Sequence, residues 1–556
     1  MRMNRHFLAF VGLYVISLAV RYVPLLLSNL PFNIDGFPLV RISEDIIETG
    51  HWQLDYPSGT SEFVTYNAKM PVLSFTISNF ALVFGMPPLE VAQVIIPLIS
   101  STSVVILYLI AFKITKSEIV SFFAGLALAL NGFFVYLGAA VMKETLGLPL
   151  LILAVYFYHE RKDPKKRIIA SLLLLIMTLT HHLTVWIALV MISFLMLTSQ
   201  VLSMRKGTFE MKMLLIDFLS GPFMFVFTIA YYYMVDLEFF SRVSNISDVA
   251  LFAAVFLIGV LFCVIFSLPK PGKKPKNLLF NKTLLIPLAG FALLVANRYK
   301  VVFPGTIPTS TPMLFSLIPY LLLISVGIIG LNVVASKTTE YKPLIATLLL
   351  GPLIVVLFAM LKGFDAFTFF LVYRSYDYID FGLAICASIG VGYVINAVQK
   401  RLSFVKSSKA EFNLKISLSM VFLVICLATV PLAYQGQEFY GVQDATYTRE
   451  FTAMNWLDEH DADYQISTDE RLNDIMGPYF DLDTDKTLPW KLRWGRSVKG
   501  GTVLFIEDKW MTDGAQMSPM PSVKIEEETF NKTVENNNLF YSTGGSGSQV
   551  YIVMVR

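Results

Sequence analysis

Apolar residues in this chain gather into long unbroken runs, not into the alternation of a half-buried strand. Thirteen runs, near residues 7–27, 89–112, 119–137, 146–158, 168–179, 185–202, 214–235, 250–268, 279–296, 313–335, 344–361, 381–398 and 416–434, are long enough or nearly so to cross a bilayer as helices. Those at 146–158 and 168–179 are short, so a re-entrant hairpin there changes the count by about two and leaves the end-to-end topology intact. The run 71–85 is also short, is closed by Met86-Pro87-Pro88, and reads as a segment at the outer interface.

Two stretches depart from this pattern. Residues 29–89 form a first loop of about sixty residues, far longer than an ordinary helix connection, and such loops usually carry function. Within it Phe37, Leu39, Val40, Ile42, Ile46 and Ile47 separate from Arg41, Glu44, Asp45 and Glu48, which predicts an amphipathic helix along the outer leaflet, ended at Gly50-His51. Residues 435–556 open on a helical pattern, Phe451, Met454, Trp456 and Leu457, and continue with strand-like runs at 465–468, 502–507 and 549–555. Asn536-Asn537-Asn538 and Gly544-Gly545-Ser546-Gly547 read as turns between the last elements. The expected fold is a polytopic α-helical membrane protein of about thirteen spans, residues 1–434, followed by a small extracytoplasmic α/β domain, residues 435–556.

Composition agrees with lipid as the main solvent. Over 556 residues, 55% hydrophobic content, 15% charge and a mean hydropathy of +0.62 exceed what one soluble core can hide. Basic residues stay cytoplasmic, and they fall in alternate loops: Arg2/Arg5, Lys113/Lys116, Arg161 to Arg167, Arg205/Lys206/Lys212, Lys270/Lys273/Lys274/Lys276, Lys337/Lys342 and Lys400/Arg401/Lys406/Lys409. This places the N-terminus inside and the C-terminal domain outside. Arg21 ends the first run with no small-residue cleavage site after it, so the run reads as an uncleaved signal anchor. Cys263, Cys386 and Cys426 all lie inside expected spans and offer no disulfide framework. The net charge of +3 divides into basic inner loops and an acidic tail, which argues against nucleic acid as a partner.

Ionisable groups on the expected outer side are few, and at membrane depth each needs solvation or a partner. Asp35 follows the first span; Lys143 and Glu144 sit in a short turn; His181 and His182 sit in another; Arg298 and Lys300 end the ninth span. Asp365, Arg374, Asp377 and Asp380 occupy the loop before the twelfth, among Phe367, Phe369, Phe370, Tyr373, Tyr376 and Tyr378. Groups emerging on one face can converge on one cavity, which suits a lipid-linked phosphate: a carboxylate deprotonates an acceptor hydroxyl while cations hold the phosphate leaving group. Asp35 is the candidate base, with Lys143, Arg298, Lys300 and Arg374 as phosphate-binding cations and Arg41, Glu44, Asp45, His181, His182 and Asp377 in support. Each has a plainer reading. Asp35 can be a helix-end cap, Lys143-Glu144 a surface pair, the histidine pair a polar hairpin, since adjacent rings rarely share a metal, and Arg374 a structural partner of Asp377. Asp217, near a cytoplasmic span end, reads as a paired residue.

The first span with Asp35 directly after it, the loop helix closed by Thr49-Gly50-His51, the stretch 66–71, and Met142-Lys143-Glu144-Thr145-Leu146-Gly147-Leu148-Pro149 together resemble the GT-C membrane glycosyltransferases, as does the tail from Glu450-Phe451-Thr452-Ala453-Met454-Asn455-Trp456-Leu457 to Leu539-Phe540-Tyr541. Span number, long first loop and soluble tail look most like the oligosaccharyltransferase-type branch. The resemblance implies inverting transfer from a polyprenyl-phosphate-linked (dolichyl or undecaprenyl) sugar to a glycan or glycoprotein acceptor at the outer face of a prokaryotic plasma membrane. It makes Asp35 the base and puts Glu144 where the superfamily keeps an acidic residue. The chain departs from that branch in lacking a Trp-Trp-Asp-Tyr-Gly motif, for which Leu492-Arg493-Trp494-Gly495 is no substitute, and an Asp-x-Asp at Lys143-Glu144. These departures favour a monosaccharide transferase with a lipid monophosphate donor, without a required cofactor, and leave Mg or Mn open. The competing readings are a lipid-linked saccharide flippase, against which the apolar mid-span positions and lack of repeated halves speak, and a non-catalytic scaffold of a glycan assembly complex. Asn245-Ile246-Ser247 and Asn531-Lys532-Thr533 match the glycosylation acceptor pattern.

Overall fold

A computed structural model describes residues 5–237, 245–268, 285–300, 302, 308–336, 339–363, 366–401, 408–434, 445–460, 464–517, 520–543 and 549–556. Arg2, Lys270, Lys273, Lys274, Lys276, Lys337, Lys406, Asp365 and the turn at 544–547 lie outside the described residues.

The protein is a mostly helical, multi-pass membrane protein. Among the described residues eight helices are long and apolar enough to cross: Pro88–Thr115, His182–Arg205, Met211–Met234, Ile246–Ser267, Thr311–Ser336, Lys342–Lys362, Leu371–Lys400 and Asn413–Tyr434. A ninth arises if Glu118–Leu130 and Gly132–Ala139, bent by 62° at their junction, form one broken span. The other expected crossings fall on Arg5–Arg21 and Lys143–His159, of 17 residues, and Pro164–Thr178 and Leu285–Tyr299, of 15. At about 1.5 Å per residue these stay below the ~30 Å hydrocarbon thickness, so the thirteen apolar runs outnumber the helices of spanning length.

The chain divides into two compact units. The first comprises Met1–Arg21, Pro97–Gly138 and Lys143–Tyr434, and its sharpest feature is the break at Asn131. Freed backbone groups there need partners away from water. Thr429 Oγ1 donates to Leu130 O at 2.7 Å and accepts from the Gly132 amide at 3.3 Å, and a Cβ on Gly132 would sit 1.9 Å from Thr429 O, so only glycine fits. Arg21, which marks the end of the first apolar run, is fully buried; its Nη1 donates to Ser17 Oγ at 2.7 Å and Ala129 O at 3.2 Å. Its charge thus meets carbonyls at the C-terminal end of the first half-helix, the favourable end of that dipole for a cation. Thr311–Ser336 and Ala366–Arg401 approach backbone to backbone: a Cβ on Gly330 would lie 1.7 Å from Cys386 O, and one on Gly390 2.1 Å from Val326 O. Asp217 is paired, as its depth demanded: Arg161 Nε lies 2.9 Å from its Oδ2 and Gln200 Nε2 donates to the same oxygen at 2.9 Å.

The second unit comprises Tyr22–Ile96, Ala139–Met142 and Gln435–Arg556. The C-terminal region carries strands β1 (Ile466–Ser467), β2 (Thr484–Asp485), β3 (Val503–Glu507), β4 (Ala515–Met517), β5 (Met520–Val523), β6 (Asn538–Ser542) and β7 (Val550–Met554). One sheet has the order β2-β1-β3-β7-β6, with β1 parallel to β2 and β3 and β7 antiparallel to β3 and β6. β4 and β5 pair separately. β1, β3 and β7 realise the three expected strand runs. The expected loop helix is present at Gly36–Thr49, closed by Gly50 at φ 75. Its apolar face does not meet lipid as expected: Phe37, Leu39, Val40 and Ile42 are buried, and the helix packs on Val72–Phe84 and Glu470–Phe480. Phe37 anchors it, its ring centroid 6.1 Å from Phe451 and 6.0 Å from Tyr479.

Candidate functional site

The sequence-predicted residues divide between the units. In the second, Asp35 is set by a tight turn. Asn33 takes φ 89, a left-handed conformation that asparagine tolerates, and its Oδ1 accepts the Asp35 amide at 3.0 Å. Gln93 Oε1 accepts the Phe32 amide at 2.6 Å while Phe32 O accepts from the Val141 amide at 2.9 Å. Gly36 must be glycine, because a Cβ there would lie 2.6 Å from Pro31 Cβ and 2.9 Å from Val141 Cβ. Asp35 stands at the N-cap position of Gly36–Thr49, yet its side chain makes no capping hydrogen bond. The turn therefore fixes the carboxylate without employing it as a cap.

A polar seam runs along this helix. Arg41 Nε lies 3.3 Å from Asp45 Oδ1, Tyr56 donates to Asp45 Oδ2 at 3.1 Å, and Tyr479 donates to Glu44 Oε1 at 3.1 Å. Burial pushes the Glu44 and Asp45 carboxyls up from the usual range. Asp474, which sequence reasoning missed, is pushed up to about 6, first by burial and further by the charges of Glu470 and Asp35. The folded protein then holds a proton that an unfolded aspartate, ionising near 3.9, releases. The contribution of Asp474 to stability is expected to be full below about pH 4 and to be lost as pH rises through about 6, and Asp474→Asn to remove that slope. Amide exchange of Glu470–Phe480 across this pH range measures it; an unchanged slope in the variant rejects the assignment.

In the first unit the structure gathers Lys143, Glu144, His181, His182, Arg374 and Asp377. Lys143 and Glu144 are not in a turn: they open the helix Lys143–His159. Arg374, Asp377 and Asp380 are not in a loop: they lie within Ala366–Arg401. Their polar and aromatic neighbours lower the local hydropathy, but backbone hydrogen bonding continues through them. Arg374 Nη1 donates to Glu144 Oε2 at 2.8 Å, which makes Glu144 an ion partner of the arginine. The Glu144 side chain is 0% exposed and that of Arg374 24%. A buried carboxylate tied to a half-open guanidinium holds the cation in a fixed orientation while leaving an edge reachable.

The histidines complete this group. His181 caps His182–Arg205: its Nδ1 accepts the Thr184 amide at 3.4 Å and lies 2.9 Å from Thr184 Oγ1, which reaches Tyr378 Oη at 2.7 Å. With Nδ1 accepting, a neutral ring carries its proton on Nε2, 3.9 Å from Glu144 Oε1. The two imidazoles stack edgewise, centroids 4.8 Å apart, and Lys143 and Arg374 are close enough to act on both electrostatically. Tyr320 donates to Asp380 Oδ1 at 3.0 Å, and Asp377 lies in the electrostatic range of Glu144, Arg374 and Asp380. Thr184 and Tyr320 carry no sequence signal that separates them from ordinary span residues, whereas Tyr378 stands among the aromatics around Arg374. Arg298 is elsewhere, donating from Nη1 to Thr309 O at 3.2 Å, and Lys300 follows the same helix. Neither is linked to Glu144 or Arg374 by a described contact. Among the described residues no three His, Cys, Asp or Glu side chains form a group that could hold a metal ion.

Among solved structures the chain is similar to the archaeal oligosaccharyltransferase AglB from Archaeoglobus fulgidus in complex with an inhibitory peptide and a dolichol-phosphate, at 14% identity and TM-score 0.52, covering 86% of this chain and 64% of that one. It is also similar to the Archaeoglobus fulgidus oligosaccharyltransferase in the apo form, at 13% identity and TM-score 0.55, and tethered with an acceptor peptide containing the NVT sequon, at 13% and 0.54, each covering 99% of this chain and 74% of that one. The chain thus spans just under two thirds of the first of these. No family profile matches the sequence, and no curated protein does. At such identities the likeness shows the fold alone, one that this chain shares with the Archaeoglobus fulgidus oligosaccharyltransferase.

Proposed function

We propose that this protein is a GT-C glycosyltransferase that moves a sugar, with inversion, from a polyprenyl-phosphate-linked donor to a glycan or glycoprotein acceptor at the outer face of the plasma membrane. The observation that carries it is the buried Glu144–Arg374 ion pair, flanked by Lys143, His181 and His182. Such a group suits a lipid phosphate better than a water-filled ion path, because its cations sit together in low dielectric where they stabilise growing negative charge. Arg374 and Lys143 hold the leaving phosphate; Glu144 orients Arg374; His181 and His182 supply N–H donors or shuttle a proton. Asp35, fixed by its turn and idle as a cap, takes the proton of the acceptor hydroxyl.

The donor is a lipid monophosphate in this reading, since the cations then replace the charge a divalent ion supplies elsewhere. Arg374→Lys keeps the charge but loses the planar fork, and transfer is expected to fall by about 10²-fold. Membranes carrying the variant, assayed with a radiolabelled polyprenyl-phosphate sugar, test this. Wild-type transfer by Arg374→Lys and Arg374→Ala alike removes the phosphate role.

A further inference from the structure

The C-terminal part of the second unit holds a groove lined by none of the residues given a role in sugar transfer above. Its volume is about 500 Å³, and it is lined by Arg493, Met511, Thr512, Lys524, Ile525, Glu526 and Glu527. The floor is apolar: Ile525 is buried, its amide donating to Trp510 O at 3.0 Å, and Met511 packs on the same core. The walls are exposed and polar. Arg493 Nη1 lies 3.3 Å from Glu526 Oε1, an exposed pair with side chains 46% and 74% accessible, weak enough in water to be exchanged for a ligand. Arg493 also belongs to residues 488–500, which hold four basic residues, two tryptophans and no acid in an otherwise acidic region. There Trp490 and Trp494 stack with centroids 4.8 Å apart, Arg496 covers Trp494 at 5.2 Å, and Trp494 remains 60% exposed.

The lining discriminates between ligand classes. Guanidinium and ammonium groups only donate, ionised carboxylates only accept, and the Thr512 hydroxyl, which donates to Lys509 O at 3.3 Å, can accept, so the walls offer both donors and acceptors above an apolar floor. A free anion meets two glutamates there. An acyl chain strips water from four charged groups without pairing them. A sugar ring, with hydroxyls that donate and accept along its rim and C–H bonds on its face, satisfies both walls and floor, and the volume is that of a small-ligand site. We propose that this groove binds a neutral oligosaccharide. Its assignment as the acceptor-side glycan rests on the transferase reading above; the binding itself does not.

The test uses the full chain in lipid nanodiscs, free of sugar-headed detergent, titrated with mannotetraose and with cellotetraose by saturation-transfer NMR. At least one is expected to bind saturably. Arg493→Ala with Lys524→Ala weakens that binding by about ten-fold, in keeping with the loss of paired donors. Thr512→Trp, which fills the groove while leaving the floor in place, abolishes it, and unchanged melting of both variants shows that folding is kept. Asp35→Asn retains binding even though it stops transfer, so the two readings fail separately. The proposal is overturned if neither saccharide saturates, if the groove variants bind as wild type does, or if an asparagine-containing peptide occupies the groove in their place.

Discussion

Asp35→Asn is expected to lower sugar transfer by about 10²- to 10⁴-fold, the range that a positioned general base contributes. The substitution is close to isosteric. Because the Asp35 side chain makes no capping bond to Gly36–Thr49, and the turn's backbone is held by the side-chain oxygens of Asn33 and Gln93 and by the Val141 amide, melting should stay where it is. Loss of rate without loss of fold is the signature of chemistry at that atom. A structural cap predicts the reverse, namely full transfer with a lowered melting temperature. Radiolabelled transfer and thermal unfolding on the same membranes separate the two outcomes.

The second large effect is on stability. Arg471, 1% exposed, donates from Nη1 to Glu450 Oε2 at 2.9 Å and from Nη2 to Glu507 Oε2 at 3.2 Å, while Lys509 Nζ lies 2.7 Å from Glu450 Oε1 and 2.9 Å from Glu507 Oε2. Burial alone would raise the Glu450 carboxyl, but the Arg471 and Lys509 charges outweigh it and hold Glu450 well below the usual carboxylate range. Burial and the adjacent Glu450 push Glu507 up. Arg471→Met leaves two buried carboxylates to one ammonium, and breaking a buried pair in this way costs about 3–5 kcal/mol. Hydrogen exchange of β3, which carries Glu507 at its end, should speed up by about two orders of magnitude or more. Exchange as slow as wild type would falsify the idea that these charges pin the sheet to Thr448–His460 and Glu470–Phe480.

Hydropathy made the helical membrane layout legible, because an unbroken apolar run needs no knowledge of its neighbours. The amphipathic pattern around Ile42 likewise found Gly36–Thr49, but not what covers it: a face that suits lipid also suits Val72–Phe84 and Glu470–Phe480. Element boundaries failed where chemistry interrupts hydropathy. Ala366–Arg401 reads as loop then span only because Arg374, Asp377 and Asp380 sit inside a continuous helix. Partners at long sequence separation stayed out of reach. Asp377 is the local candidate for Arg374, three residues on, whereas Glu144, to which the arginine donates, lies 230 residues away. The break at Asn131 and the Thr429 hydroxyl that bridges it are invisible for the same reason.

Photo-crosslinking with a diazirine-bearing polyprenyl phosphate, followed by peptide mapping, tests most directly whether the Glu144–Arg374 group receives a lipid phosphate. Labelling is expected within 142–148, 181–184 or 371–378, competed by unlabelled polyprenyl phosphate and lost in Arg374→Ala. Labels confined to other segments, or labelling that Arg374→Ala leaves untouched, would contradict it.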